Sequence, residues 1–316
     1  MLSSVPKGPV GIVATSRAAV QEIICLLARD QVGVSHLFGA SPRGKGKALS
    51  AGLRALQADP ATNVIILASG SGSFPAAVTQ TLDRICDSDK PTIVCFLGSD
   101  PRAIWQAGAI PAARLDEAAM RAAAWARGWD QALVSSRLEE QDEQLAGMAC
   151  ELQRRFTRAR FRLHGLFTDD ILGCEARLML SDLAIRTGDA RLESALAICV
   201  QPGFSLWQPN LRQALADPQV AVILLDVMYS EDTTGDPVSV LTASLDEYRR
   251  SEFGPQGEHS DEPWIVARLC RPGSDPRALA SEEARLWDAD VILVPSNAAM
   301  ARLAGMIVGE LCRPTS

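Results

Sequence analysis

The feature that most constrains the fold of this chain is an internal repeat. Leu53–Leu67 (LRALQADPATNVIIL) and Leu211–Leu225 (LRQALADPQVAVILL) are identical at eight of fifteen positions. Further along, Lys90–Arg102 and Glu262–Arg277 both place a proline before Ile-Val and end in Ser-Asp-Pro-Arg. The two matches keep the same order in each half, and self-similarity of this kind is the signature of a repeated structural unit. We therefore predict two related domains that arose by duplication.

Each half alternates short aliphatic runs, typical of buried strands, with helical patterns. The predicted strands of the first half are Gly8–Ala14, Val34–Phe38, Val64–Ala68 and Thr92–Leu97. Those of the second half are Leu163–Phe167, Leu196–Val200, Val220–Val227, Trp264–Leu269 and Val291–Pro295. Nearly continuous aliphatic strands that alternate with helices indicate an α/β fold with parallel sheets covered on both faces. We predict domains over residues 1–130 and 156–316, joined by a linker helix over residues 131–155.

Composition limits the classes of partner. The chain carries a net charge of -7, whereas nucleic-acid binding requires a basic face, so we predict no nucleic-acid partner. No apolar run reaches the length of about 20 residues that a membrane span needs, and no signal peptide begins the chain. The eight cysteines are scattered without a CxxC pair, which favours reduced thiols. We therefore expect a cytoplasmic protein without a membrane contact.

Two segments of the first half are candidates for binding a small anion. Ser69, Gly70, Ser71, Gly72 and Ser73 follow a strand and precede a helix that begins at Pro75. Small residues let the backbone approach a ligand closely, and the N-terminus of a helix attracts negative charge. Ser16 and Arg17 begin the first helix in the same way. The alternative is that these are ordinary connections between strand and helix.

A third candidate segment, Ser41–Lys47, is predicted to be a basic, glycine-rich loop. It carries Arg43, Lys45 and Lys47 in an otherwise acidic chain, and such a patch suits a carboxylate or a phosphate. A solvent-exposed loop without a ligand is the open alternative. The segment Ser69–Ser73 is not a Walker loop, because the pattern GxxxxGK[ST] is absent from it.

The corresponding turns of the second half are acidic. Asp169 and Asp170 follow its first strand, and Thr233, Thr234 and Gly235 belong to a turn that also contains Glu231, Asp232 and Asp236. These carboxylates would repel an anion and favour a cation or a basic partner. A magnesium site could be built from them, but acidic loop tips are common on protein surfaces, and we predict no metal site.

Candidate catalytic residues cannot be assigned from the sequence. His36, His164 and His259 are far apart, and none lies beside a candidate nucleophile in a recognisable pattern. Structural or solvent-exposed roles account for all three. The identity of any catalytic residue is therefore left open at this point.

The order of segments resembles the FdrA family of acyl-CoA-synthetase-like proteins, which is related to succinyl-CoA synthetase. The similarity runs from Pro6 to Gly309, and no single motif decides it. The segments that carry it are Lys7–Glu22, Lys90–Gly98, Leu115–Ala119, His164–Ala176, Asn210–Val227 and Pro295–Leu303. The resemblance implies two tandem flavodoxin-like domains of the succinyl-CoA synthetase ligase type.

Several family features differ here. Family members usually begin with a CoA-binding Rossmann domain, and we expect that domain to be missing because the first ligase-type strand begins near the amino terminus. Gln106 stands where the phosphorylated histidine of succinyl-CoA synthetase is found. An amide cannot accept a phosphoryl group as that histidine does, so no phosphohistidine ligase activity is expected. Ala14–Ala19 and Asp169–Leu172 replace glycine-rich loops of the family.

The resemblance implies a function in a complex. Some FdrA-like proteins are subunits of a carbamoyltransferase of purine (allantoin) degradation, which converts oxalurate and phosphate to oxamate and carbamoyl phosphate. We expect this chain to be such a subunit, with phosphate or carbamoyl phosphate as its small anionic ligand, no other cofactor, and the remaining subunits as partners. One alternative is a non-catalytic partner that keeps the fold and senses a ligand. A further alternative is a CoA ligase whose CoA domain is supplied by another chain.

Overall fold

The computed structural model describes residues 5–39, 45–70, 75–154, 160–201, 204–229, 235–251, 262–273 and 275–309. The chain forms two compact units, Met1–Glu140 and Gln141–Ser316, and the boundary falls within a helix that spans Ala132–Gln153. We refer to them as unit 1 and unit 2.

Unit 1 is built on a parallel sheet. Its strands are β1 (Lys7–Ala14), β2 (Val34–Gly39), β3 (Val64–Ser69), β4 (Thr92–Phe96) and β5 (Ile110–Pro111), in the order β2-β1-β3-β4-β5. The helices are α1 (Arg17–Arg29), α2 (Lys45–Ala58), α3 (Pro75–Leu82), α4 (Pro101–Gln106) and α5 (Leu115–Arg127), followed by α6 (Ala132–Gln153), within which the boundary falls. A short 3-10 helix, Ile85–Asp87, follows α3.

Unit 2 repeats this arrangement. Its strands are β6 (Arg162–Phe167), β7 (Leu196–Val200), β8 (Val220–Met228), β9 (Trp264–Cys270) and β10 (Val291–Leu293), in the order β10-β9-β8-β6-β7. The helices are α7 (Asp170–Thr187), α8 (Arg191–Ala195), α9 (Phe204–Ala216), α10 (Pro237–Arg250), α11 (Pro276–Asp288) and α12 (Asn297–Val308).

Both sheets have the same topology. Numbered from the first strand of each unit, the order is 2-1-3-4-5, which is the doubly wound order of flavodoxin-like folds. Every strand pair is parallel, and β3 and β8 are buried along their whole length. Strands that are buried on both faces are mostly apolar on both. Their sequences are therefore aliphatic runs and not alternating patterns. The predicted α/β class with parallel sheets is confirmed.

Two details of the sequence-based fold are wrong. The strand β5 was not predicted, because it consists of only Ile110 and Pro111 and shows no periodicity. The segment Ser41–Lys47 was predicted to be a loop throughout, but Lys45 to Lys47 form the first turn of α2. Lysine is a good helix former and outweighs the single glycine, Gly46, between these two lysines.

The strands β1 and β2 approach each other closely at two glycines. Lys7 and Val10 both pair with Val34, so the ladder is irregular beside Gly8 and Gly33. A Cβ atom added at Gly33 would lie 2.4 Å from the carbonyl oxygen of Lys7, and one added at Gly8 would lie 2.4 Å from the carbonyl carbon of Gly33. Main chain therefore packs directly on main chain here, and neither position has room for a side chain.

The helices and the cysteines bear on the environment that the sequence predicts. No described helix combines the length and the apolar composition that a membrane span requires. Cys86 and Cys199 are free thiols. Cys150, in contrast, is disulfide-bonded, so the expectation that all cysteines are reduced is wrong at this position.

Candidate functional site

Each unit has one place where the topology favours a ligand. In an open parallel sheet, ligands bind beyond the carboxyl ends of the strands, at the point where successive connections leave in opposite directions. In unit 1 that point lies between β1 and β3, and in unit 2 it lies between β6 and β8. We call the residues there the unit 1 edge (Thr15, Ser16, Ser69 and Gly70) and the unit 2 edge (Thr168, Asp169 and Asp226).

The unit 1 edge is formed by hydroxyl groups. Thr15 Oγ1 donates a hydrogen bond to Ser69 Oγ at 3.2 Å, and the amide of Thr15 donates to the carbonyl of Ala68 at 3.1 Å. Ser69 is buried and ends β3, and Gly70 follows it half-buried. Ser16 is the N-cap of α1, as predicted, and its side chain accepts the amide of Ala19 at 3.2 Å.

The other predicted anion-binding residues are only partly described. Arg17 is exposed at the first position of α1, directly after Ser16. Lys45 is the first residue of α2, and its side chain lies outside the described part of the chain. Arg43, Ser71, Gly72 and Ser73 also lie outside the described residues. Their participation in anion binding stays a prediction.

A groove of about 680 Å³ runs between α2 and the segment that contains α3. Lys47 and Arg54 line it from α2, and Arg84 lines it from the opposite side, together with Asp83 and Asp87. Within the described ranges, these charged side chains form no ion pair. The groove shows that one lysine of the predicted basic segment, Lys47, belongs to a mixed charged surface of unit 1.

Gln106 is not brought to the unit 1 edge. It is the exposed last residue of α4, and by Ile110 the chain has returned to pair with Ile93, the second residue of β4. This is the amino end of the parallel sheet, whereas Thr15 and Ser69 lie at the carboxyl end. Gln106 therefore does not contribute to the hydroxyl-lined edge.

The unit 2 edge is formed around a buried carboxyl group. The amide of Thr168 donates to both oxygens of Asp226, at 2.9 Å each, and Thr168 Oγ1 donates to Asp226 Oδ2 at 2.6 Å. Asp169 is the N-cap of α7, where its Oδ1 accepts the amide of Ile171 at 3.0 Å. Asp170 is exposed in the first turn of the same helix.

The environment of Asp226 changes its protonation. Its side chain is buried in β8, and removal from water disfavours the charged form, so burial raises the pKa of Asp226 to about 8. The hydrogen bonds from Thr168 oppose this shift, while the nearby charge of Asp169 adds to it. Burial therefore favours the protonated form of the carboxyl group at this edge.

A polar network lies next to the carboxyl end of β8. Asp236, the N-cap of α10, accepts hydrogen bonds from Tyr229 Oη at 2.7 Å, Ser239 Oγ at 2.5 Å and Arg285 at 2.8 Å. Burial alone would raise the pKa of Asp236, but these hydrogen bonds and the charge of Arg285 outweigh burial and hold it well below its usual range. Burial and the contact with Asp236 raise the pKa of Tyr229 above its usual value.

The acidic turn predicted in the second half leads directly into this network. Gly235, directly before Asp236, has φ +114, a left-handed conformation that glycine adopts without strain. Thr233 and Thr234 lie outside the described residues. Arg271 stacks over the ring of Tyr229 at 4.6 Å and pairs with Glu282. Arg285 therefore offsets the charge of Asp236, a contact that the sequence did not indicate.

Comparison with known proteins identifies relatives but no family. No protein-family model matches the chain. The chain is 25% identical over 333 residues to YahF, an uncharacterized protein of Escherichia coli strain K12, and the match covers 96% of this chain and 62% of YahF. It therefore spans about three fifths of the length of this curated relative.

Solved structures show more distant likenesses. The dinucleotide-forming acetyl-coenzyme A synthetase 1 of Ca. Korarchaeum cryptofilum, solved with phosphate and ADP, is 15% identical with a TM-score of 0.33, over 96% of this chain and 64% of that chain. A sugar transport substrate-binding protein of Bordetella parapertussis is 10% identical with a TM-score of 0.42, over 94% and 78%. Both TM-scores are low, so neither match indicates a ligand or an activity.

The metal-binding residue types and the histidines of the described ranges form no further candidate site. Within the described residues, no group of histidine, cysteine and acidic side chains is arranged to hold a metal ion. His36 pairs with Asp59 at 3.0 Å on the surface of unit 1. His164 lies half-buried in β6, where burial lowers its pKa. His259 lies outside the described residues.

Two important residues were missed by sequence reasoning. The prediction of an aliphatic strand over Val220–Val227 gives Asp226 no role, although one aspartate among the eight apolar residues of β8 is itself a signal for a special role. Thr15 was not selected because its partner, Ser69, is 54 positions away, and only the strand order brings the two hydroxyls together.

Proposed function

We propose that this chain is a subunit of a carbamoyl- or acyl-transferring complex of the FdrA type, and that the unit 1 edge binds its phosphate ligand. The observation that carries the proposal is the pair of hydroxyl groups of Thr15 and Ser69, which meet at the carboxyl ends of β1 and β3. They lie at the point where a doubly wound sheet binds its ligand.

The composition of the unit 1 edge favours an anion. Hydroxyl groups can donate to phosphate oxygens, and α1, a helix of 13 residues, begins directly beside them. The N-terminus of a helix carries a partial positive charge that stabilises an anion by up to about 1 kcal/mol. Thr15, Ser16, Ser69 and Gly70 include no carboxylate, and Arg17 adds a positive charge.

The unit 1 edge would promote the reaction by positioning the phosphate and by stabilising its negative charge. By resemblance, the reaction converts oxalurate and phosphate to oxamate and carbamoyl phosphate. Gln106 cannot form a phosphorylated intermediate, so the phosphate would react directly while the hydroxyls and the helix N-terminus hold it in place. The remaining subunits of the complex would supply the binding site for the carbamoyl donor.

A tandem duplication of one α/β unit accounts for the two domains. The repeat aligns Leu67 with Leu225, and these residues occupy matching places: Leu67 pairs with Val13 and Leu225 pairs with Leu166. Each of these partners lies three residues before the N-cap of the next helix. The second repeat aligns the N-caps Asp100 and Asp275, which accept the amides of Arg102 and Arg277.

A non-catalytic partner subunit is the second candidate function. The unit 2 edge favours it, because a buried carboxyl group, Asp226, occupies the place that Ala68 holds in unit 1, and Asp169 replaces Ser16. A chain that has lost one ligand site can persist as a structural or ligand-sensing subunit. A CoA ligase whose CoA domain comes from another chain is the remaining alternative from the resemblance.

Reconstitution tests the proposed function. The chain is purified together with the proteins encoded next to it, and formation of carbamoyl phosphate from oxalurate and phosphate is measured. We expect activity in the complex and a loss of at least about tenfold, the equivalent of 1.4 kcal/mol, in a Thr15→Val/Ser69→Ala variant. A Ser35→Ala variant, which removes a hydroxyl of β2 bonded to Thr62, is the control and is expected to keep full activity.

The outcomes separate the candidates. A complex that is active with the double variant would show that the unit 1 edge is not the phosphate site. A complex that forms but has no activity with the wild-type chain would favour the non-catalytic partner. Activity that depends on CoA and ATP would favour the ligase.

A further inference from the structure

Asp226 lies on the face of the unit 2 sheet that packs against α7 and α12. Alternate residues of a strand point to opposite faces, and the hydrophobic cluster with α9 and α10 contains Ile223, Leu225 and Val227. Asp226 therefore points to the other face. Its neighbour in the parallel pairing of β8 with β9 is Arg268, which lies on the same face and is also buried.

The carboxyl group of Asp226 is buried without a counter-ion. Its only side-chain partner among the described residues is Thr168, which reaches it through the amide and the hydroxyl. No arginine, lysine or histidine of the described residues lies within ion-pair distance. The cost of burying an unpaired charge far exceeds the gain from such hydrogen bonds, so the neutral acid is the favoured form.

The surrounding charges belong to three elements. The helix α7 contributes Asp169 and Glu175, β9 contributes Arg268, and α12 contributes Arg302, which pairs with Asp142. The opposite face of β8 is aliphatic. Burial is the main cause that raises the pKa of Asp226 to about 8, and the negative charge of Asp169 adds to this shift.

We propose that Asp226 and Thr168 form a proton-dependent hydrogen-bond switch at the unit 2 edge. When the carboxyl group carries its proton, Asp226 donates that proton to Thr168 Oγ1, and the hydroxyl hydrogen of Thr168 points elsewhere. When Asp226 releases its proton to solvent, Thr168 Oγ1 must donate to Asp226 Oδ2 across the 2.6 Å contact. The protonation state of Asp226 thus determines whether the hydroxyl group of Thr168 can donate a hydrogen bond to another group at the carboxyl end of β6.

The described residues at the corresponding place in unit 1 include no buried carboxyl group. The residue that corresponds to Asp226 is Ala68, and the amide of Thr15 donates to its main-chain carbonyl instead. The hydroxyl group of Thr15 donates to the hydroxyl group of Ser69. The proposal concerns unit 2 alone, so it does not depend on the proposed phosphate site of unit 1.

The test is a ¹³C NMR titration of the aspartate carboxyl carbons in the full chain. We expect one carboxyl carbon to titrate near pH 8 and the same resonance to be missing in Asp226→Asn. In Thr168→Val, the charged form loses its hydroxyl donor, so this carbon should titrate at a higher pH than in the wild type. A merely structural role for Thr168 would leave the midpoint unchanged.

Stability provides a second readout. The folded state binds the proton of Asp226 more tightly than the unfolded state does. The contribution of Asp226 to the free energy of unfolding is therefore greatest below about pH 4. It is lost as the pH rises to about 8, with up to about a tenfold increase of the unfolding equilibrium constant per pH unit. This component should be missing from Asp226→Asn. Titration of Asp226 in the ordinary range of aspartate, or a midpoint that Thr168→Val does not move, would overturn the proposal.

Discussion

Replacing Gly33 with alanine is expected to destabilise unit 1 by about 3 kcal/mol or more. The new Cβ atom would lie 2.4 Å from the carbonyl oxygen and 2.5 Å from the carbonyl carbon of Lys7. Both are main-chain atoms of β1, so relief requires the main chain around Gly33 to separate from β1, which is an interior strand between β2 and β3. Overpacking a close contact typically costs 1–3 kcal/mol, and a main-chain obstacle belongs at the upper end of that range.

The chain offers a matched control for this substitution. Gly39 is the last residue of β2, the strand that begins directly after Gly33, and a Cβ atom added there meets nothing within 4 Å. Gly39→Ala should therefore unfold like the wild type in urea, followed by circular dichroism, while Gly33→Ala should unfold at a clearly lower concentration. Equal midpoints for the two variants would contradict the close packing of β1 on β2.

The second large effect is expected at Asp142 in unit 2. Its Oδ2 pairs with Arg302 at 2.6 Å, and Arg302 is buried on α12. Asp142→Asn removes the negative charge but keeps the shape, so a buried guanidinium group loses a counter-ion. Breaking a buried pair from one side typically costs 3–5 kcal/mol. Because Asp142 itself is partly exposed, we expect about 3 kcal/mol in the free energy of unfolding.

An exposed ion pair of the same unit serves as the comparison. Asp182 and Arg186 lie 3.8 Å apart on α7, and both side chains are more than half exposed. Exposed pairs of this spacing contribute about 0.3–0.5 kcal/mol. Asp182→Asn should therefore change the unfolding free energy far less than Asp142→Asn. A similar loss in both variants would show that burial of Arg302 does not control the effect.

Local sequence rules account for most of the elements. Val64–Leu67 is an aliphatic run that could only be a buried strand, and Ser16, Asp100 and Asp275 are side chains that cap helices through their own oxygen atoms. Leu67 and Leu225, which the sequence repeat aligns, pair with Val13 and Leu166 in their respective sheets.

Residues that meet only through the tertiary fold could not be predicted. Thr15 and Ser69 come together because β1 and β3 are neighbours, although β2 lies between them in sequence. Tyr229, Asp236 and Arg285 likewise belong to three segments that the sheet edge assembles. Periodicity reports which face of an element is buried but not which elements are adjacent. For the same reason, the role of Asp226 became visible only with its contact to Thr168.

The two edges differ in composition, and the buried Asp226 adds to the acidic side chains that the sequence already places in the turns of the second half. The unit 1 edge has hydroxyls and a helix N-terminus, whereas the unit 2 edge has a buried acid, Asp226, and the N-cap Asp169. If both edges descend from one ancestral site, then only the first has kept a composition that suits a phosphate. We therefore expect an anion to bind selectively to the unit 1 edge.

Calorimetric titration of the full chain with phosphate tests that claim most directly. We expect one phosphate to bind per chain, and Thr15→Val/Ser69→Ala to weaken binding at least about tenfold, or 1.4 kcal/mol. Thr168→Val, at the corresponding position of unit 2, should bind phosphate like the wild type. Unchanged binding in the Thr15/Ser69 variant, or loss of binding in Thr168→Val, would contradict the assignment of the anion site to unit 1.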